Sequence, residues 1–215
     1  TQLLNEALFE SKCQLTQASH IVITLGTAWG YRHVEQDKIV ANCHKIPQKA
    51  FQKELASVDA IAATTRRMLS AIVKVNSEAQ VIFTVSPVRH TKDGFVENQR
   101  SKAHLLAGMH QVLDESQHTV YFPSYELMMD ELRDYRFYNR DLIHPNALAV
   151  DYIWERFSSV YFSKETQKIM QKVQEIQQGL AHKPFNPDSE AHQEFLRNLE
   201  AKKRALQADF PHIQF

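Results

Sequence analysis

Asp141 and His144 stand three residues apart, immediately before Pro145. A turn leading into a helix can then set the carboxylate on one imidazole nitrogen while the other nitrogen faces a nucleophile. That is the orienter and base half of a hydrolase triad. The same pair also fits a plain capping role at a helix entrance. Asp141 would favour the imidazolium, whereas the positive end of a helix would oppose it.

Two further clusters follow apolar runs. Gly26-Thr27-Ala28-Trp29-Gly30-Tyr31 continues through His33 to Asn42, His44 and Lys45. Its glycines permit close backbone approach, and backbone donors there could face a developing oxyanion; a simple turn with Trp29 plugging the core is the plainer reading. The segment from Ser86 through Arg89 and His90 to Gly94 offers a hydroxyl, cations and an imidazole, and fits a solvated loop around a tight turn as well. His104 and His110 fall in a predicted helix, and His182, His192 and His212 in a polar tail, where surface roles dominate. Cys13 and Cys43 have no paired spacing, and Cys43 with His44 makes a poor ligand set, so neither a metal nor a cofactor is expected.

Strands and helices must position these groups. His20 to Leu25 is a β-branched and aliphatic run, predicted as a strand buried on both faces of a parallel sheet. Apolar residues from Leu55 through Val73 recur at three and four, predicting one long amphipathic helix over about 48–76. Val81 to Val85 is a second buried strand stopped by Pro87; 97–115 reads as a helix; Thr119 to Phe122 is a third strand ending at Pro123. Alternating strands and helices mark an α/β domain with right-handed crossovers. A short helix over 125–133 and a helix from Pro145 to about Phe162 follow, the latter with His144 at its mouth. Beyond Ser163, two Gln-, Glu-, Lys- and Leu-rich stretches split by Gly179 and Pro184 to Asp188 predict a helical hairpin. The expected division is therefore 1–163 for the main domain and 164–215 for a helical extension. Its apolar positions suit packing on that domain or on a second copy, which would make a homo-oligomer.

Composition narrows the function classes. The chain has 215 residues, is 43% hydrophobic, and balances 25 basic against 25 acidic side chains. With zero net charge it has no summed field for a polyanion, so nucleic acid is not an expected partner. No run approaches the ~18 apolar residues of a membrane span. With two cysteines and no signal-peptide pattern at Thr1 to Glu6, a reducing cytoplasm is the expected setting.

Several segments taken together resemble a known family. They are Ile23 to Trp29, Ala41 to Pro47, Thr84 to His90, Tyr121 to Glu126, Arg133 to Tyr138 and Asp141 to Pro145. In this order, over about 20–160, they resemble the GSCFA-domain proteins of bacteria. The resemblance implies an SGNH- or GDSL-like hydrolase with a flavodoxin-like three-layer α/β/α sandwich, a mainly parallel sheet and a Ser-His-Asp triad. Asp141 and His144 match the final Asp-x-x-His block, as orienter and general base. Gly26 to Trp29 occupies the place of the Gly-x-Asn-Asp block, with Ala28 where the oxyanion-donating asparagine would stand; Asn42 and His44 are replacement candidates. The Gly-Ser-Cys-Phe-Ala motif that names the family does not occur here, so the attacking serine is expected outside this sequence, which would begin inside the domain. Ser86 is the fallback nucleophile. The expected substrate is a small acyl ester, such as an acylated sugar. Gly26, Thr27, Trp29, Tyr31, Lys45, Arg89, Tyr135, Arg136 and Tyr138 are candidates to line its site. A non-catalytic binding domain that keeps the cleft is the rival expectation.

Overall fold

The computed structural model describes residues 2–40 and 43–215. In chain order the elements are α1 (Gln2–Gln17), β1 (His20–Leu25), β2 (Trp29–His33), β3 (Lys38–Val40), β4 (Phe51–Leu55), α2 (Val58–Val75), β5 (Gln80–Val85), α3 (Phe95–Leu113), β6 (Thr119–Tyr121), α4 (Ser124–Glu126), α5 (Ala147–Tyr161), α6 (Lys164–Ala181) and α7 (Glu190–Asp209). Among the described residues this is a mixed α/β protein with a three-stranded parallel sheet and seven α-helices. Contacts divide it into two compact units, Thr1–Ile153 and Trp154–Phe215.

In the first unit the parallel sheet has the order β1-β5-β6, with Ile23 beside Phe83, Leu25 beside Val85 and Val81 beside Thr119. Val81 to Val85 are all buried, as a strand paired along both edges and covered on its faces requires. Val81, Phe83 and Val85 share one core with Ile61, Ala62 and Leu69 of α2 and with Leu105, Met109 and Val112 of α3. Ile23 and Leu25 of β1 pack against that core. β1 departs from the expectation of two buried faces: it is an edge strand, and Val22 on its other face is 52% exposed.

The predicted helix over 48–76 is the largest correction. Gln48–Ala50 is a single 3-10 turn and Phe51–Leu55 is β4, paired antiparallel with β2 from Trp29 beside Leu55 to His33 beside Phe51. β3 flanks β2 on its other side, so the predicted loop after Gly26 carries a small antiparallel sheet. The helix begins only at Val58, where the Ser57 hydroxyl accepts from the Ala60 amide at 3.1 Å and satisfies one of the unpaired first-turn donors. Leu55 packs on the same core as Ile61, so strand and helix share one apolar stripe across the break.

Two boundaries near the candidate pair also move. α5 begins at Ala147 rather than at Pro145, capped by Asn146, whose Oδ1 accepts from Ala149 N at 3.1 Å and whose carbonyl accepts from Val150 N at 3.0 Å. Pro145 lies one residue earlier and forms an isolated bridge with Tyr138. The predicted short helix over 125–133 is one α turn, α4, running into a π turn at Leu127–Glu131. It presents Met128 and Leu132 to Tyr138 and Ala149.

In the second unit α6 and α7 run antiparallel, with Lys202 bonded to Glu175 and Leu199 seated against Gly179. Ile176, Leu199 and Leu206 form their shared core. No described helix is long and apolar enough to cross a membrane.

Candidate functional site

Asp141 is the hub of the turn that carries the sequence-predicted pair. Its Oδ1 accepts from the amides of Ile143 (2.9 Å) and His144 (3.0 Å), and its Oδ2 lies 2.6 Å from His144 Nδ1. Three donors converging on one carboxylate favour its charged form. The amide bonds from His144 and Ile143, then the ring bond, hold the Asp141 carboxyl down to about 2. The His144 side chain is 57% exposed, and among the described residues nothing hydrogen-bonds its Nε2. Asp141 therefore both shapes the turn and occupies Nδ1.

The turn is strained and pinned. Leu142 has a φ of 58°, a left-handed conformation that costs a non-glycine residue on the order of 1 kcal/mol. Arg89 offsets this cost: its guanidinium donates to Leu142 O and its amide to Ile143 O at 3.3 Å. The guanidinium stacks over the Tyr138 ring at 4.6 Å and the Tyr135 ring at 5.6 Å. The structure thus brings Arg89, Tyr135, Tyr138, Asp141 and His144 together. Arg136 instead pairs with Asp134 at 3.0 Å and is mostly exposed.

The Ser86–His90 loop that carries Arg89 also meets the end of β1. A Cβ at Gly26 would lie 3.6 Å from His90 Nε2, an ordinary contact. The His90 ring sits below the usual imidazole range, first through lost hydration and then through the nearby positive charges of Lys102 and His144. Ser86 closes its own turn, accepting from Val88 N at 3.3 Å, with no bond to His144.

At the first strand exit two backbone donors are already engaged. Ala28 N–H donates to Ser101 Oγ at 2.7 Å, and Trp29 N–H to Thr27 Oγ1 at 3.2 Å. Both amides are therefore already hydrogen-bonded within the chain, the Ala28 bond buried and the Trp29 bond exposed. Thr27 Oγ1 and Ser101 Oγ are 3.0 Å apart. Trp29 lies in β2, where its ring donates to Glu97 O at 3.4 Å and carries Lys53 Nζ over its face at 4.8 Å. His44 and Lys45 occupy a turn with φ of 47° and 64°, closed by Ile46 N to Cys43 O at 2.9 Å. Asn42 lies outside the described residues. Cys43, Tyr31, Phe51, Lys53, Lys92 and Asp93 line a cleft of about 470 Å³. Among the described residues no three His, Cys, Asp or Glu side chains are grouped to hold a metal ion.

One row of residues escaped the sequence reading. Asn98, Ser101 and Lys102 lie on one face of α3, all buried. Asn98 Oδ1 accepts from His90 N at 2.7 Å, Ser101 holds Ala28, and Lys102 Nζ donates to Gly26 O and Ser86 O, both at 2.7 Å. The row continues the apolar stripe of Leu105, Met109 and Val112 toward the helix start. That continuation was the available signal: polar residues standing at core positions of a helix.

An α/β fold in which strand-end loops meet an Asp–His turn defines the class, a mixed α/β protein. Two family models make it specific: one described as GSCFA family matches residues 1–157, and one described as GSCFA domain protein, C-terminal domain, matches residues 173–215. The chain belongs to the GSCFA family. No curated protein matches it.

Asp141 also yields a pH prediction. Its folded carboxyl titrates below the unfolded value of about 3.9, so its contribution to the turn is complete above that value. The contribution is lost as pH falls from there to about 2. A carboxyl-carbon titration of Asp141 should therefore show a midpoint near 2, accompanied by the His144 amide. A midpoint at the ordinary carboxylate value would mean that the amide bonds do not form in solution.

Proposed function

We propose that this chain supplies the general base and its orienter to a serine ester hydrolase or acyltransferase of SGNH-like type. The carrying observation is the Asp141–His144 pair, with Nδ1 tied to the carboxylate at 2.6 Å and the ring more than half exposed. In this reading His144 Nε2 takes the proton of an attacking serine hydroxyl, the serine oxygen bonds to the acyl carbon, and the leaving alcohol departs with the proton returned by His144. Water or an acceptor alcohol then releases the acyl group by the same route in reverse. The attacking serine in this proposal is that of the Gly-Ser-Cys-Phe-Ala motif that names the family, a motif that does not occur in these 215 residues. The substrate is a small acyl ester, with an acylated carbohydrate suited to the exposed Tyr135 and the aromatic and basic residues of the 29–53 sheet.

The architecture that accompanies this proposal is a three-layer α/β/α sandwich over 1–163, followed by a helical extension over 164–215. The reaction needs neither metal nor cofactor. The free Cys13 and Cys43 accord with a reducing cytoplasm.

One observation favours a binding module without chemistry: Ala28 replaces the oxyanion donor and its amide is spent on Ser101. A fluorophosphonate probe separates the two readings in protein carrying the Gly-Ser-Cys-Phe-Ala segment. The hydrolase reading expects one serine labelled, and labelling lost in His144→Asn. Clean failure of labelling, beside retained binding of acylated sugar, would establish the binding module.

A further inference from the structure

β1 and β5 are hydrogen-bonded neighbours up to Leu25 and Val85, with Ser86 N donating to Leu25 O at 2.9 Å. One residue further on the strands part, one chain entering the antiparallel sheet and the other the Arg89 and His90 loop. At the parting point Gly26 O and Ser86 O both turn to the Lys102 ammonium, at 2.7 Å each. Lys102 is 1% exposed, and its third face looks toward the Tyr125 ring, 5.5 Å away. No described carboxylate bonds it. A buried ammonium satisfied by two backbone carbonyls and an aromatic face is costly to desolvate, and burial lowers its pKa to about 8.

A surface-anchoring lysine would have kept its head in water, and a purely packing position would have been filled by Met or Leu at no electrostatic cost. What the ammonium adds is a link between two strand ends that have no other bond to each other past Ser86, placed beside the ring that sits against Gly26. We propose that Lys102 is a positioning residue of the candidate site, its ammonium fixing the spacing between the Gly26 and Ser86 strand ends and setting a positive charge beside His90. The charges acting on the His90 ring are Lys102 from α3 and His144 from the Asp141 turn. Both act in the same direction, against the protonated form of the His90 ring. The Arg89-pinned turn hangs from the same loop, so a shift in the Ser86 strand end moves His144 with it.

The first test uses the native chain and is independent of any enzymatic activity. The carbonyl-carbon resonances of Gly26 and Ser86 are followed as pH rises. They are expected to move together, with one shared midpoint near 8, as the ammonium loses its proton. Flat resonances up to pH ~10, or two different midpoints, overturn the link. The second test is Lys102→Met, compared with native protein by ring titration of His90. Loss of the neighbouring positive charge is expected to move the His90 midpoint upward in a variant that keeps its native spectrum elsewhere. An unmoved or lowered midpoint overturns the electrostatic role. Should this variant fail to fold, the native titration decides alone. A third measurement rests on the hydrolase reading: Lys102→Met should lower kcat for an acyl ester on the order of tenfold with KM unchanged, as misplacement of the base predicts. An unchanged kcat overturns the positioning role. Absence of any ester turnover in the native protein rejects the hydrolase reading instead and leaves the two spectroscopic tests in force.

Discussion

Under the proposed hydrolase function, replacing His144 with asparagine is expected to lower ester turnover about a thousandfold, the scale of a lost general base, while leaving the fold unchanged. The substitution is chosen for the turn. An asparagine side-chain amide can donate to Asp141 Oδ2 as Nδ1 does, and the bonds from the Ile143 and His144 amides to Asp141 Oδ1 do not involve the ring. The ring is largely exposed, so little apolar burial is forfeited. What is lost is a group that can accept a proton at Nε2. The comparison is made in protein carrying the Gly-Ser-Cys-Phe-Ala segment, by initial rates on a small acyl ester together with an amide spectrum. Turnover equal to the unsubstituted protein's would remove His144 from the mechanism. Asp141→Asn provides the second arm. It keeps an acceptor for the two amides but replaces the carboxylate that fixes the ring tautomer, so its loss should be large as well and not additive with His144→Asn.

The Asp141 and His144 pair was legible because it is local: three residues and a turn bring the groups together whatever the rest of the chain does. The central strand was legible for a similar reason, since five consecutive buried residues from Val81 to Val85 leave no other element to assign. β4 was not. Leu55, Val58 and Ile61 stand three apart, and that spacing reads as one helix face even though a strand ends at Leu55 and a helix starts at Val58. Only the pairing with β2, from Trp29 beside Leu55 to His33 beside Phe51, holds 51–55 extended, and such pairing is a tertiary fact with weak local signature. Ser57 was the one local clue, a capping hydroxyl inside an apolar stripe. Lys102 stayed hidden by the opposite logic. A lysine in an amphipathic helix is solvated by default, and its burial became visible only when two strand ends, from positions 26 and 86, supplied the oxygens. Arg89 is intermediate: its cationic character was noted, but that it would brace the Leu142 turn depended on where two distant loops meet.

The helix that carries Lys102 is placed by a glycine, and this gives a stability effect whose sign is decided by close packing. A Cβ at Gly108 would fall 2.6 Å from Val58 O and 2.8 and 2.9 Å from Ile61 Cβ and Cγ2. These are backbone and branch-point atoms of α2, which cannot swing aside. In an isolated helix Gly→Ala gains ~1 kcal/mol, so the sign of Gly108→Ala is decided by which effect is larger. Relieving an overlap of that depth requires α2 and α3 to separate along their packed length, which costs ~1–3 kcal/mol and loosens the contacts of Ile61, Leu105 and Met109. Gly108→Ala should therefore destabilise by up to about 2 kcal/mol net, and Gly108→Val, which adds two methyls and β-branching in a helix, by ~3 kcal/mol or more. Gly179 supplies the control. A Cβ there would come within 2.5 Å of Leu199 Cδ1, a terminal methyl that can rotate away, so Gly179→Ala should lie within ~1 kcal/mol of the native protein. Urea midpoints at constant m-value measure all three. If Gly108→Ala proves neutral or stabilising, the close approach of α2 to α3 does not exist in solution. If it destabilises as expected, the same variant should also disturb the carbonyl resonances of Gly26 and Ser86, because moving α3 moves the ammonium that both of them share.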